Sequence, residues 1–364
     1  MSVDTAFSHS YREARGKFIE AAQAAGLLVE SQRHPETGRE GEELAMDVAR
    51  EGDPNASKLL ILSSACHGVE GFCGSGVQVS ALRDAAWREH AKAKGVAVLY
   101  VHALNPFGFS HLRRTTQENV DLNRNFHDFD KPLPRNAAYR ELHELLFPDT
   151  WPPSKENDEA LAAWVEKNGQ PAYQAAISSG QHEFPRGMYY GGDGPTWSNR
   201  TLREVLRAHG RRAGRIAWID FHTGLGPSGL GERIFAGPDD ATQVARARRW
   251  WDGGGRTPVT SIYDGSSTSA RLTGMMWSSI FDECPQAEYT GIAMEYGTQP
   301  LLQVLHALRA EHWLDQHPEA PAELRTQIKQ QMLDAFYTDT PQWKQRIVEQ
   351  AREAMVQAVD GLAG

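Results

Sequence analysis

The chain has 364 residues, 40% of them apolar, enough to bury a sizeable core in one large domain or two smaller ones. Its 38 Lys and Arg against 47 Asp and Glu give a net charge of −9, which argues against nonspecific attraction to nucleic acid or to an anionic membrane surface. Three cysteines (Cys66, Cys73, Cys284) are too few for a disulfide framework at this length, and they exclude a zinc site made of cysteine alone.

Met1-Ser-Val-Asp-Thr-Ala-Phe7 has neither the basic segment nor the apolar run of a leader, and no stretch of about 18 apolar residues follows, so the expectation is a soluble, cytoplasmic protein. Helical spacing of Phe18, Ile19, Ala22 and Leu27 predicts a helix from His9 to Gly26, followed by polar residues leading to an apolar run, Lys58 to Ser64, that reads as a buried strand. A helical pattern from Gly76 to Arg88 and a second strand from Val96 to His102 come next. The Pro-, Asn- and charge-rich stretch from Asp130 to Gly214 reads as an insertion with two or three helical pieces, such as Lys155 to Lys167. Strands at Arg215–Phe221 and Gly291–Glu295 flank a helix at Ala241–Trp251. From Pro300 the pattern is helical to the end, with Thr340-Pro341 as an N-cap and first-turn pair and two or three helices expected. Strands alternating with helices predict an α/β fold with a mostly parallel sheet covered on both faces.

Four segments carry residues suited to chemistry. Ala65-Cys66-His67-Gly68-Val69-Glu70-Gly71 places an imidazole and a carboxylate three residues apart just past a strand, where parallel α/β sheets put their ligands. Both are zinc donors, although His-x-x-Glu alone arises often by chance. A catalytic zinc usually takes a third protein ligand, and His222, between Ala217-Trp-Ile-Asp-Phe221 and Thr223-Gly224, is the best candidate. Asp220 either orients an imidazole from behind or faces the same side as His222. The third segment runs from Asn105-Pro-Phe-Gly-Phe109 through Arg113-Arg114 to Asn119-Val-Asp-Leu-Asn-Arg-Asn125. There Asn123 and Arg124 suit recognition of a free carboxylate, and Arg114 could face an oxyanion. In the fourth, Ala293-Met-Glu-Tyr-Gly297, an acid at the tail of an apolar strand is either salt-bridged to an Arg or a general base and acid.

In this order the motifs resemble the zinc carboxypeptidases, the family of the pancreatic and cytosolic carboxypeptidases and the murein-peptide amidases. The match covers His67-x-x-Glu70, Asn105-Pro-x-Gly108-Phe, Arg114 ten residues before Arg124, His222 and Glu295. In detail the chain resembles an uncharacterised branch of that family known only as a domain of unknown function, with Asp220-Phe-His-Thr-Gly-Leu-Gly226 and Met294-Glu-Tyr-Gly-Thr298 as local signatures.

The resemblance implies a single metallocarboxypeptidase-like domain over residues 1–364: a mostly parallel mixed sheet flanked by helices, a motif core of about 58–300, a helical insertion of about 130–214 and C-terminal helices of about 300–362. It implies Zn2+ on His67, Glu70 and His222, Arg114 and Glu295 as catalytic groups, and Asn123 with Arg124 on the substrate carboxylate. The activity implied is cleavage of an amide next to a free carboxylate in a small peptide. The alternatives are an N-acyl amino acid deacylase of the aspartoacylase and succinylglutamate desuccinylase type, and a non-catalytic binding protein that retains the fold. One departure is the missing match to the mobile tyrosine of the secreted enzymes: Thr268 to Trp277 has none, and Tyr263 and Tyr289 are only near it. Arg113 stands as an alternative to its neighbour Arg114.

Overall fold

The computed structural model describes residues 3–252 and 258–364. Helix α1 (Tyr11–Ala24) starts where the Ser10 hydroxyl accepts the Glu13 backbone N–H, and it buries Ala14, Phe18, Ala21 and Ala22. Strands β1 (Val29–Thr37) and β2 (Glu43–Glu51) follow as an antiparallel pair that the sequence reading did not anticipate. The reason is visible in β1, an edge strand of mostly polar, exposed residues whose only fully buried member is His34.

Strand β3 (Lys58–Ser64) leads through α2 (Gly71–Arg83) and α3 (Ala85–Ala93) to β4 (Ala97–His102). The single helix expected from Gly76 to Arg88 is divided at Asp84, which adopts an extended backbone and caps α3 by accepting the Trp87 N–H. After α4 (Pro106–His111), four helices lie where two or three were expected: α5 (Ala137–Leu146), α6 (Lys155–Asn168), α7 (Gln170–Ser178) and α8 (Trp197–Gly210). Strand β5 (Arg215–Ser228) runs seven residues past its expected end at Phe221. Then come β6 (Gly231–Phe235), α9 (Ala241–Trp251), β7 (Val259–Thr260), α10 (Ser279–Glu283) and β8 (Glu288–Gly297). Three helices close the chain: α11 (Leu301–Gln316), α12 (Ala322–Phe336) and α13 (Pro341–Ala363), the last capped by Thr340 as expected.

The eight strands form one mixed sheet in the order β1-β2-β4-β3-β5-β8-β6-β7. The central β4/β3, β3/β5 and β5/β8 pairs are parallel, and antiparallel pairs β2/β4 and β8/β6 flank them. Alternation along the strands divides the core. Leu60, Leu62, Ala217 and Ile219 pack on one face with residues of α1, α2, α9 and α13, while Leu59, Ile61, Ile216 and Trp218 pack on the other with Leu202, Val205 and Leu206 of α8 and Ile280 of α10. This is a single α/β domain with helices on both faces. No helix among the described residues is long and apolar enough to cross a membrane.

A buried charge cluster ties α11 and α12 to the loop after α4. Glu311 Oε1 lies 3.1 Å from Arg113 Nε and 2.8 Å from Lys329 Nζ, and Lys329 also donates to the His111 carbonyl at 2.9 Å. Burial pushes the Glu311 carboxyl up, but Arg113 and Lys329 outweigh it and hold it down at about 2. A depressed carboxyl contributes stability that is complete above its unfolded value, near 4.3, and is lost as pH falls through about 2. Glu311→Ala, which removes the carboxylate that pairs with Lys329 and leaves Arg113 with Asp315, is expected to cost about 3–5 kcal/mol in denaturant unfolding. Glu311→Gln is expected to flatten the fall of stability across that acid window.

Candidate metal centre and cleft

The loop after β3 delivers His67 and Glu70 at the C-terminal end of the sheet. Ala65 turns the chain with φ 59°, and Gly68–Glu70 forms one 3-10 turn. Gly68 and Val69 donate backbone N–H groups to the Arg114 and Arg113 carbonyls at 3.1 and 2.8 Å, which stitches this loop to the Arg113-Arg114 segment. Gly68 is required there, because a Cβ would meet the Gly108 carbonyl carbon at 2.1 Å. His222 sits inside β5 and not beyond its end, directly opposite Glu295 in the parallel β5/β8 register.

These pieces converge. His67 Nδ1 lies 3.3 Å from His222 Nδ1 and 2.9 Å from Glu70 Oε1, and His222 Nδ1 lies 3.2 Å from Glu70 Oε2. Each imidazole turns its other nitrogen to a carboxylate: His67 Nε2 is 3.3 Å from Asp121 Oδ1, and His222 Nε2 pairs with Asp220 Oδ2. Asp220 is itself held by the Ser63 hydroxyl, which donates to Oδ1 at 2.5 Å. Two buried imidazoles and a buried carboxylate aimed at one point, each ring fixed from behind by an acid, is the donor set that zinc takes, so the residues fit the ion. Without a cation, burial works against charge on His222, yet Asp220 and Glu70 hold it well above its ordinary range. Glu70 is driven well below its range against burial, by His67 first, then His222 and Arg114.

Arg114 is buried beside this group and engages it. Its Nε donates to Asp121 Oδ2 at 2.9 Å and its Nη1 to Glu70 Oε1 at 3.0 Å, while Nη2 lies 2.8 Å from His67 Nε2. Arg113 points away, into the Glu311 and Asp315 cluster, and does not share the site. Asn123 accepts the Met276 N–H on Oδ1 at 2.9 Å. Arg124 donates from Nε and Nη2 to the Ser178 carbonyl at 3.0 and 2.5 Å and from Nη1 to the Asn123 carbonyl at 2.8 Å. One N–H on each terminal nitrogen remains, a spacing that suits a carboxylate. Glu295, across from His222, accepts the Leu225 N–H at 3.1 Å, and burial, with Glu70 next, pushes its carboxyl up to about 8.

All seven predicted site residues line one cleft. A family described as "Protein of unknown function (DUF2817)" matches residues 7–350. The chain belongs to the DUF2817 family. No curated protein matches it. Among solved structures, it is similar to carboxypeptidase A from Helicoverpa armigera, at 12% identity over 100% of this chain and 75% of that one, with a TM-score of 0.50. It is also similar to bovine thrombin-activatable fibrinolysis inhibitor in complex with tick carboxypeptidase inhibitor, at 12% identity over 97% of both chains, with a TM-score of 0.54. At that identity the likeness establishes a metallocarboxypeptidase fold.

The DUF2817 chain adds residues that sequence reading missed. Asp121 lay inside the quoted Val-Asp-Leu-Asn-Arg motif without a role, and its partners are His67 and Arg114. Tyr189 lines the cleft with its ring 4.8 Å from the Arg114 guanidinium carbon and 5.6 Å from that of Arg124, and burial raises its phenol. Gln174 and Ser178 of α7 line the same cleft, so the 137–210 segment helps wall it. Neither tyrosine considered from sequence does so: Tyr263 donates its hydroxyl to the Gly237 carbonyl, and Tyr289 is buried beneath. The five described non-glycine residues with positive φ, Ala65, Ala103, Leu112, Asn119 and Tyr189, all lie on the segments that build this site, where backbone strain is tolerated for position.

Proposed function

We propose that the chain is a zinc-dependent hydrolase that cleaves an amide bond next to a free carboxylate in a peptide, as a carboxypeptidase does. The observation that carries this reading is the convergence of His67 Nδ1, His222 Nδ1 and the Glu70 carboxylate, with Glu295 beside them. Zinc held there would polarise an amide carbonyl and lower the pKa of water. Arg124 and the Asn123 amide hold the substrate carboxylate, and Tyr189 packs behind the Arg124 guanidinium. Glu295 takes a proton from the attacking water and passes it to the leaving amine.

Arg114 follows from one ring nitrogen. His67 Nε2 faces both Arg114 Nη2 and Asp121 Oδ1, and it can accept from the first or donate to the second. When Nδ1 serves as a ligand, Nε2 carries the proton and donates to Asp121, which releases Arg114 Nη2 toward an oxyanion in the cleft.

A groove lined by Leu225–Ser228 and 298–301 opens from the cleft, with Leu225, Leu301 and Gln174 common to both. That room beyond the scissile bond supports a peptide over a short N-acyl amino acid. Elemental analysis of the purified protein, with turnover of blocked dipeptides and N-acetyl amino acids with and without added zinc, tests the reading. The expected result is one zinc per chain and faster cleavage of dipeptides. Turnover of the acyl amino acids alone would replace the peptidase with a deacylase, and absence of both zinc and turnover would favour a binding protein.

A further inference from the structure

Behind Arg114, where the Arg113 side chain points, a groove of about 550 Å3 lies between the loop after α4, the turn joining β1 to β2, and helices α11 and α12. That volume is ordinary for a small-molecule site. Both helices also reach the metal cleft. Leu301, Leu305 and Leu308 of α11 line the cleft, and Glu311 and Asp315, further along the same helical face, line the groove. On α12, Arg325, Lys329 and Leu333 follow one another at four-residue steps along the groove, while Phe336 at the helix end lines the cleft.

The groove carries charge of the opposite sign to the chain as a whole, whose net charge is −9. Four cations line it, Arg39, Arg113, Arg325 and Lys329, against two acids, Glu311 and Asp315. Both acids are already taken: Glu311 by Lys329 and Arg113, Asp315 by Arg113 at 2.6 Å. His111, held below its ordinary range chiefly by burial, adds no charge at neutral pH. The surplus therefore rests on Arg39 and Arg325. The carboxylate beside Arg39 is that of Glu40 at 3.9 Å, which lies closer to Arg12 at 3.6 Å. Arg325 donates to the Pro318 carbonyl at 2.7 Å and has no carboxylate within 4 Å among the described residues.

We propose that this groove is a second ligand site, for a small dianion bearing a phosphate or two carboxylates, gripped by Arg39 and Arg325, and that filling it steadies the loop bearing His67 and Glu70. Each guanidinium offers a planar fork of donors that matches either group, and two negative charges cancel the surplus. The groove does not depend on the proposed cleavage. Its link to the metal centre runs through hydrogen bonds on both helices. Glu311 of α11 holds the Arg113 side chain, and the Arg113 carbonyl accepts the Val69 N–H inside the metal loop. Lys329 of α12 donates to the His111 carbonyl, and the Phe336 carbonyl accepts the Thr223 hydroxyl at 2.7 Å. Thr223 in turn donates its N–H to Glu70 Oε2 at 3.1 Å. A dianion spanning Arg39 and Arg325 ties α12 to the β1–β2 turn, and so restrains the elements that seat the metal loop.

Metal-free protein is titrated with inorganic phosphate and, separately, with succinate, each against chloride at equal ionic strength, by calorimetry and thermal shift. Saturable binding of at least one is expected, weakened about tenfold or more in Arg39→Ala and in Arg325→Ala, substitutions that leave the Glu311 cluster intact. Phosphate alone assigns a phosphorylated ligand and succinate alone a dicarboxylate; either upholds the site. In zinc-loaded protein the bound anion is expected to slow loss of zinc to a chelator severalfold, and to have no such effect in the Arg39→Ala/Arg325→Ala double variant. If the protein holds no zinc, the hydrolase reading falls while the anion titration still decides the groove. No saturable binding of either anion, or binding undiminished in both variants, overturns the site. Zinc loss unaltered by a bound anion overturns the link to the metal loop.

Discussion

Glu295→Gln is expected to lower kcat by about 10² to 10⁴ or more while leaving zinc content at one per chain. Glutamine keeps the side-chain shape, and its carbonyl oxygen still accepts the Leu225 N–H, so the bond that seats the residue survives. What disappears is the proton carrier. Glutamine also removes a buried acid held high by burial and by Glu70, so the metal-free variant is expected to unfold at no lower denaturant concentration than the parent. Metal analysis, steady-state kinetics and denaturant melts check the three parts. A variant that keeps parental kcat would remove Glu295 from the mechanism, and one that loses zinc would recast it as part of the metal centre.

The second large effect is expected at His222. His222→Ala removes one of three donors and leaves Asp220 without the imidazole that pairs with it, so zinc is expected to fall to trace and turnover with it. Asp220→Asn is expected to weaken zinc by about 10- to 100-fold, because the amide still meets the ring but no longer raises its basicity. Competition with a zinc chelator ranks the three proteins. Equimolar zinc in His222→Ala would place the ion elsewhere and undo the reading of the site.

The central parallel strands, and the loops hung on their ends, were legible because their signals are local. The apolar runs at Lys58–Ser64 and Val96–His102 and the pattern at Gly291–Glu295 became β3, β4 and the heart of β8, and the three proposed ligands come together. The edges were not legible. Strands β1, β6 and β7 are short or polar on one side, and they owe their conformation to a neighbour already in the sheet, so no run of residues announces them. The length of β5 was missed for a related reason: Gly224, Gly226 and Pro227 break the apolar run that was expected to end at Phe221, yet the strand continues through them beside β8 with a shift of register. Tyr189 left no signal at all. Its place in the cleft comes from a left-handed turn in a loop 75 residues after Arg114, and only the folded chain brings them together.

His67 and His222 are separated by 155 positions, and neither can meet the other until β3 and β5 have paired. The consequence lies in biosynthesis. A nascent chain that has left the ribosome only as far as α8 offers His67 and Glu70 alone, so the proposed metal centre would be complete only once the middle of the sheet has assembled. On the proposed reading, metal content would serve as a quality mark, and a chelator added during refolding is expected to alter the final product without slowing the early steps.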